Sequence, residues 1–295
     1  MQCKICGSKE IRIVYNGKIR NGGVGKYTEN NIPIYQCKNC RVLWHETVVV
    51  DMKEYYESTE YRNLLEGGSE EADFYRLHDK ENMNKFQYTG TTIFRNKIVA
   101  DVGCGCGAFL DFLSGAVNKV IAIEPSEKYR EVMEKKGFLT FPYTEDAVAV
   151  WKENVDVVTS FDVIEHVQNP EEFLKGIFDL LKTDGQAIIG TPTDAPMMRM
   201  LLGEAYERKL LFSVQHLWIF SEQCLKMLAE KIGFSKVSVK YYQRYGIDNM
   251  IGWVKHQKPN SEINLGIINE TISSVWKSQL SEAGLADYLV LYLQK

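Results

Sequence analysis

The 295-residue sequence has no run of the roughly 18 to 20 apolar residues that a helix needs to cross a bilayer, so no spanning segment is expected. Residues 1–4, Met-Gln-Cys-Lys, lack the apolar stretch of a secretory leader, and a cytoplasmic location is the expectation. Internal repeats and low-complexity segments are missing. Positive charge is not in excess: 35 Lys and Arg against 39 Asp and Glu leave a net charge of -4, with no general attraction to nucleic acid or an anionic membrane. Interleaved aromatic and basic residues, the signature of single-strand stacking platforms, are also absent. These absences favour a small-molecule partner over a polymer or a membrane, while a local basic patch and a homo-oligomer stay open.

The composition, 45% hydrophobic and 25% charged, supplies a substantial core. The length exceeds that of a usual single domain, so one catalytic domain with an accessory module is expected. Four of the seven cysteines form two CxxC pairs, Cys3–Cys6 and Cys37–Cys40. In a reducing compartment such pairs serve more often as metal ligands than as disulfides, and four thiolates close a tetrahedral shell around a structural Zn2+. Gly7 lets the first knuckle turn back beneath the metal. His45 lies beyond a complete cysteine set and reads as a bystander. Lys18, Arg20, Lys26, Lys38 and Arg41 read as a solvated face, although they could meet phosphates.

Short β-prone runs at 11–15 and 32–36 make residues 1–50 a zinc-ribbon β module. Residues 51–95 read as a helical linker or substrate-binding segment, with helices suggested around Tyr61 and Leu64-Leu65. From 96 to 295 strands and helices alternate: 97–102, a helix from Ala108, 119–123, a helix from Ser126, 155–161, a helix from Pro170, then 186–190. That spacing predicts an α/β domain, a Rossmann-like doubly wound parallel sheet. An irregular cap insertion is expected around 192–220, before a helix opened by Ser221.

The strongest chemical signal is Ile98-Val99-Ala100-Asp101-Val102-Gly103-Cys104-Gly105-Cys106-Gly107, an apolar strand entering a turn with three alternate glycines. A dinucleotide fingerprint spaces its glycines as GxGxxG and puts pyrophosphate on the helix N-terminus. Here the spacing is GxGxG, and the carboxylate of Asp101 would repel a pyrophosphate yet suits a cationic ligand such as S-adenosylmethionine. Glu124 ends the next strand about twenty residues on, where an acid would accept bonds from ribose hydroxyls. Cys104 and Cys106 read as small fillers. Asp162 and His166 follow a strand whose carboxyl end should border the ligand cleft. His216 in the cap is the first candidate to deprotonate an acceptor and His166 the second, each with the alternative of simply bonding a backbone carbonyl.

The DVGCGCG turn, the IAIEPS strand end, FDVIEHV and LKTDGQAIIGTP together resemble the class I S-adenosylmethionine-dependent methyltransferases. The resemblance implies that S-adenosylmethionine is bound by Asp101, Gly103, Gly105, Gly107 and Glu124, by Phe161 and Asp162, and by Asp146 or Ala147 beside the adenine. With the cysteine pairs, GKIRNGGVGKYT, YYESTEYR, QHLWIF and LADYLVLYLQK, the chain resembles zinc-ribbon methyltransferases of surface-polysaccharide and nucleotide-sugar pathways. It is more distantly similar to the C-methyltransferases of antibiotic deoxysugars, whose two catalytic histidines would fall at His166 and His216. Those enzymes carry a tyrosine and a glutamate where this chain has Ser213 and Gln215, so O-methylation stands beside C-methylation. The expected function is methyl transfer to a saccharide or nucleotide-linked sugar. The alternatives are an RNA or protein methyltransferase gripping its polymer with the ribbon, and a non-catalytic scaffold.

Overall fold

A computed structural model describes residues 1–46, 52–58, 68, 70–258, 263 and 266–295. In chain order, strands β1 (Ile11–Gly17), β2 (Ile32–Cys37) and β3 (Leu43–Trp44) precede helices α1 (Met52–Glu57) and α2 (Glu71–Thr89). Strands and helices then alternate through β4 (Ile98–Val102), α3 (Ala108–Leu113), β5 (Lys119–Ile123), α4 (Glu127–Lys135), β6 (Leu139–Phe141), α5 (Thr144–Trp151), β7 (Val155–Phe161), α6 (Pro170–Leu180) and β8 (Leu181–Pro192). After α7 (Pro196–Leu202) and two short helical turns over Glu204–Tyr206 and Glu207–Leu211 come β9 (Trp218–Ile219), α8 (Glu222–Ile232), β10 (Lys236–Tyr242), α9 (Ile247–His256), α10 (Glu270–Glu282) and β11 (Tyr288–Gln294). The helices expected around Tyr61 and Leu64-Leu65 fall outside the described residues. Among the described residues no helix is long and apolar enough to cross a membrane.

The alternation yields the expected α/β fold. Seven strands form one sheet in the order β10-β11-β8-β7-β4-β5-β6, and the pairs β6-β5, β5-β4, β4-β7 and β7-β8 are parallel. Strand order reverses between β4 and β7, and at such a switch point the flanking loops part to leave a crevice at the strand carboxyl ends. The central strands are mostly apolar because both sheet faces are covered: Val99, Ala100, Ile121, Val155 and Val158 are all fully buried. Helix α6 shows the local logic. Leu174, Ile177 and Leu180, spaced three apart, bury one face, and Pro170 stands at its first turn. The Asn169 side chain accepts from the amides of Glu171 and Glu172, which would otherwise lack partners.

A second sheet orders β1-β2-β3-β9, so three N-terminal strands gain a fourth from the far side of the chain. Two compact units result. One comprises 1–48, 191–227 and 239–290, the other 49–190, 228–238 and 291–295. The cap region 192–220 therefore groups with the cysteine module, because Phe212, Val214 and Ile219 share a core with Ile19, Ile34 and Leu43.

The cap on α6 is testable on its own. Asn169→Ala should destabilise the unit containing α6 by about 1 kcal/mol and Asn169→Gly by much less, read as shifts in the urea unfolding midpoint.

Candidate active site

The glycine turn between β4 and α3 is pinned from the neighbouring strand. The Gly103 amide donates to the Ile123 carbonyl at 2.8 Å, and the Gly105 amide donates to Glu124 Oε2 at 3.0 Å. Glu124 Oε1 accepts from the Ser126 amide at 3.1 Å, so the carboxylate is buried against the turn. Gly105 has φ +57°, and a Cβ there would press on the Phe74 ring; the backbone angle and the lack of space both disfavour a side chain. Asp101 is buried one residue before the strand end and accepts from Thr159 Oγ1 at 2.6 Å.

The remaining expected residues are divided between the two units. Phe161, at the end of β7, is buried against Phe109 and Tyr88. Asp162 is exposed and takes φ +57°, a conformation that its short polar side chain tolerates and that turns the chain off the strand. Asp146 is exposed and Ala147 fully buried in the first turn of α5. His166 follows in the same unit, with Nδ1 2.9 Å from the Tyr56 hydroxyl and the two rings edge to face. His216 belongs to the other unit, where its amide donates to Ser213 Oγ at 3.2 Å.

Helix α2 lies within the expected helical segment 51–95, but sequence reasoning missed its contact with the glycine turn. Phe74 lies over Gly105, the Tyr75 hydroxyl donates to the Cys106 carbonyl at 3.0 Å, and Asn82 Nδ2 donates to the Ala108 carbonyl at 3.2 Å. Lys85 places its ammonium 5.5 Å from the ring centroids of both Phe109 and Phe161, close enough to act on the Asp101 charge. Residues 74, 78, 82, 85 and 89 share one helical face, yet Phe, His, Asn, Lys and Thr make no apolar stripe, so periodicity gave no signal.

A family model described as a methyltransferase domain matches residues 75–239, more than half of the chain. The chain belongs to this methyltransferase family. The curated relatives include the mitochondrial ubiquinone biosynthesis O-methyltransferase of Schizosaccharomyces pombe, 27% identical over 37% of this chain and 42% of that protein. The ubiquinone biosynthesis O-methyltransferase of Actinobacillus pleuropneumoniae is 29% identical over 44% of this chain and 60% of that protein. The methyltransferase thus spans about half the length of these relatives. Among solved structures, an S-adenosylmethionine-dependent methyltransferase of Thermotoga maritima superposes with a TM-score of 0.51 at 21% identity, covering 76% of this chain and 94% of that one. A structure of the Haloferax volcanii Trm112 activator with a methyltransferase gives 0.54 at 12% identity, covering 84% and 99%. Both likenesses establish the fold. Residues 75–239 thus form a methyltransferase domain, on the fold that S-adenosylmethionine-dependent methyltransferases share.

The methyltransferase also brings its four N-terminal cysteines together: all four Sγ atoms lie within 4.8 Å of one another, with Cys3 and Cys40 at 3.6 Å and Cys6 and Cys37 at 3.5 Å. Sulfurs about 2.3 Å from a tetrahedral zinc stand about 3.8 Å apart, so the cluster has the size of a four-thiolate site. Both knuckles close alike, the Gly7 amide on the Cys3 carbonyl and the Arg41 amide on the Cys37 carbonyl, each at 2.9 Å. Arg41 takes φ +62° where the first knuckle uses glycine. Contact with Cys40, then burial, pushes the Cys3 thiol up; contact with Cys224 does the same to Cys40. His45 stands outside the cluster, its Nε2 3.2 Å from the Ser213 carbonyl.

Burial raises the Asp101 carboxyl from 3.8 to about 6, against the opposing pull of Lys85 and the Thr159 hydrogen bond. The folded value lies above the unfolded one, so ionising Asp101 weakens the fold as pH climbs from about 4 to about 6, and a cation beside it offsets that loss. On the expectation that Asp101 meets S-adenosylmethionine, affinity for this cation should be about tenfold weaker at pH 5 than at pH 7. Calorimetry across that range should show the slope in the native enzyme and a flat profile in Asp101→Asn.

Proposed function

We propose that this enzyme methylates a saccharide or nucleotide-linked sugar, on oxygen or on an acidic carbon, as a step in surface glycan biosynthesis. The observation that carries the transfer reading is the Glu124 carboxylate held at the Gly105 amide beside buried Asp101. In this reading Glu124 takes the ribose hydroxyls, Gly103, Gly105 and Gly107 admit the nucleoside against bare backbone, and Asp146 and Ala147 border the adenine. Asp101 faces the methionine ammonium and Lys85 its carboxylate, two opposite charges meeting a zwitterion. Phe161 and Asp162 line the approach to the reacting methyl group.

S-adenosylmethionine supplies an electrophilic methyl on a positively charged sulfur; the C–S bond breaks, its electron pair stays on sulfur, and a bond forms to the acceptor atom. The acceptor hydroxyl or C–H must give up its proton. His216 is the proposed base and His166 the second, the latter oriented by the Tyr56 hydroxyl. A histidine suits a proton taken and returned to solvent near neutral pH. The curated relatives are O-methyltransferases by name, which favours oxygen as the atom methylated. The net charge of -4 favours a small acceptor over a nucleic acid. Zinc at Cys3, Cys6, Cys37 and Cys40 is structural in this account, since four sulfurs leave no position for a reacting group.

Incubating the enzyme with methyl-labelled cofactor and a panel of nucleotide-sugars, beside a ubiquinone-precursor phenol, should place label on a sugar; label on the phenol alone would refute the sugar assignment. With the acceptor so found, His216→Ala should retain cofactor affinity and lose about 100-fold or more in kcat. Glu124→Ala should weaken cofactor binding about tenfold or more by calorimetry.

A further inference from the structure

The segment carrying His216 is held on both sides by the cysteine module. On its N-terminal side the Arg20 amide donates to the Phe212 carbonyl at 3.0 Å, and the Val214 amide donates to the Arg20 carbonyl at 2.9 Å. His45 Nε2 lies 3.2 Å from the Ser213 carbonyl, and the Ser213 hydroxyl in turn accepts from the His216 amide. On its C-terminal side Trp218 and Ile219 pair with Trp44 and Leu43 as an added strand. Beyond them the Ser221 hydroxyl donates to the carbonyl of Cys40, itself one of the four clustered cysteines, at 2.6 Å. The apolar contacts repeat the pattern, with the Tyr15 and Phe212 rings 5.1 Å apart and Val214 sharing a core with Ile32, Ile34 and Leu43.

A four-residue approach to an imidazole, anchored before and after on one rigid module, leaves its backbone few alternatives. Buried backbone groups must keep partners, so the segment cannot drift without breaking several hydrogen bonds together. The module is too small to supply this rigidity from apolar burial alone: Cys3, Cys37 and Cys40 are themselves part of its buried interior. A bound ion would cross-link strands β1 to β3 beneath the segment.

We propose that the cysteine module is the frame that positions His216, with His45 as its positioning residue and the metal as the device that keeps the frame rigid. This rests on the zinc and base assignments above. The module then has a task in methyl transfer without touching the methyl donor: metal loss frees residues 212–221 and leaves the cofactor turn intact.

The test uses the full-length enzyme, zinc-loaded and chelator-stripped, with zinc measured by atomic emission. Amide hydrogen exchange over 212–221 should speed by about tenfold or more on stripping, while 98–124 keeps its protection and S-adenosylmethionine binds with unchanged Kd. His45→Leu, zinc-loaded, should show the same local release, and His45→Gln, whose amide N–H can still donate to the Ser213 carbonyl, should restore protection. Nitrogen-15 histidine spectra, with the His216 signal assigned through His216→Ala, should show its titration moved in His45→Leu and returned in His45→Gln. Unchanged exchange and an unmoved His216 titration in His45→Leu would overturn the proposal, as would a loss of cofactor affinity in step with local release. Protein that takes up no zinc would instead remove the metal assignment, and the His45 pair would still decide whether the module frames His216.

Discussion

A single charged hydrogen bond organises the catalytic unit: the Glu124 carboxylate at the end of β5 accepting from the Gly105 amide of the turn that follows β4. It requires that β4 and β5 be parallel neighbours, that the turn carry no side chain at its centre, and that the acid be buried where water does not compete. The parallel sheet meets the first requirement, since the register Val102 to Ile123 ends both strands at the same level. Gly105 meets the second. The third is met by α2, whose Phe74 covers the turn and whose Tyr75 hydroxyl bonds the Cys106 carbonyl.

Much of this was legible before any coordinates. The alternation of apolar runs and amphipathic segments located β4, β5, β7 and α6 to within a residue or two, because strands buried on both faces must be continuously apolar. The order of acid, glycines and strand-end acid was legible because each residue type answers a chemical demand that few others meet. The paired cysteines were legible for the same reason, and their sulfurs do converge.

What escaped the sequence was non-local or chemically mixed. Helix α2 contacts the glycine turn, the start of α3 and the end of β7 through an aromatic ring, a phenol, an amide and an ammonium, and no periodicity of hydropathy marks such a face. The union of 191–227 with the cysteine module was hidden because β9 is two residues long and finds its partner far back in the chain. His45, read as a bystander to the cysteines, is no part of their cluster, but its contact with the Ser213 carbonyl gives it a place that spacing alone could not reveal. Arg41 stands where the first knuckle has Gly7, showing that a left-handed residue can be held by its turn with a side chain present.

The contact between His45 and Ser213 closes a separation of 168 residues, and β9 can join the small sheet only after β4 to β8 of the large sheet have been synthesised. During translation the cysteine module emerges before β9 and waits with an open edge, the kind of unpaired strand that invites wrong partners. An ion captured at that stage would hold the nascent module in register until its last strand leaves the ribosome, so folding yield in the cell, as much as finished stability, becomes sensitive to metal supply.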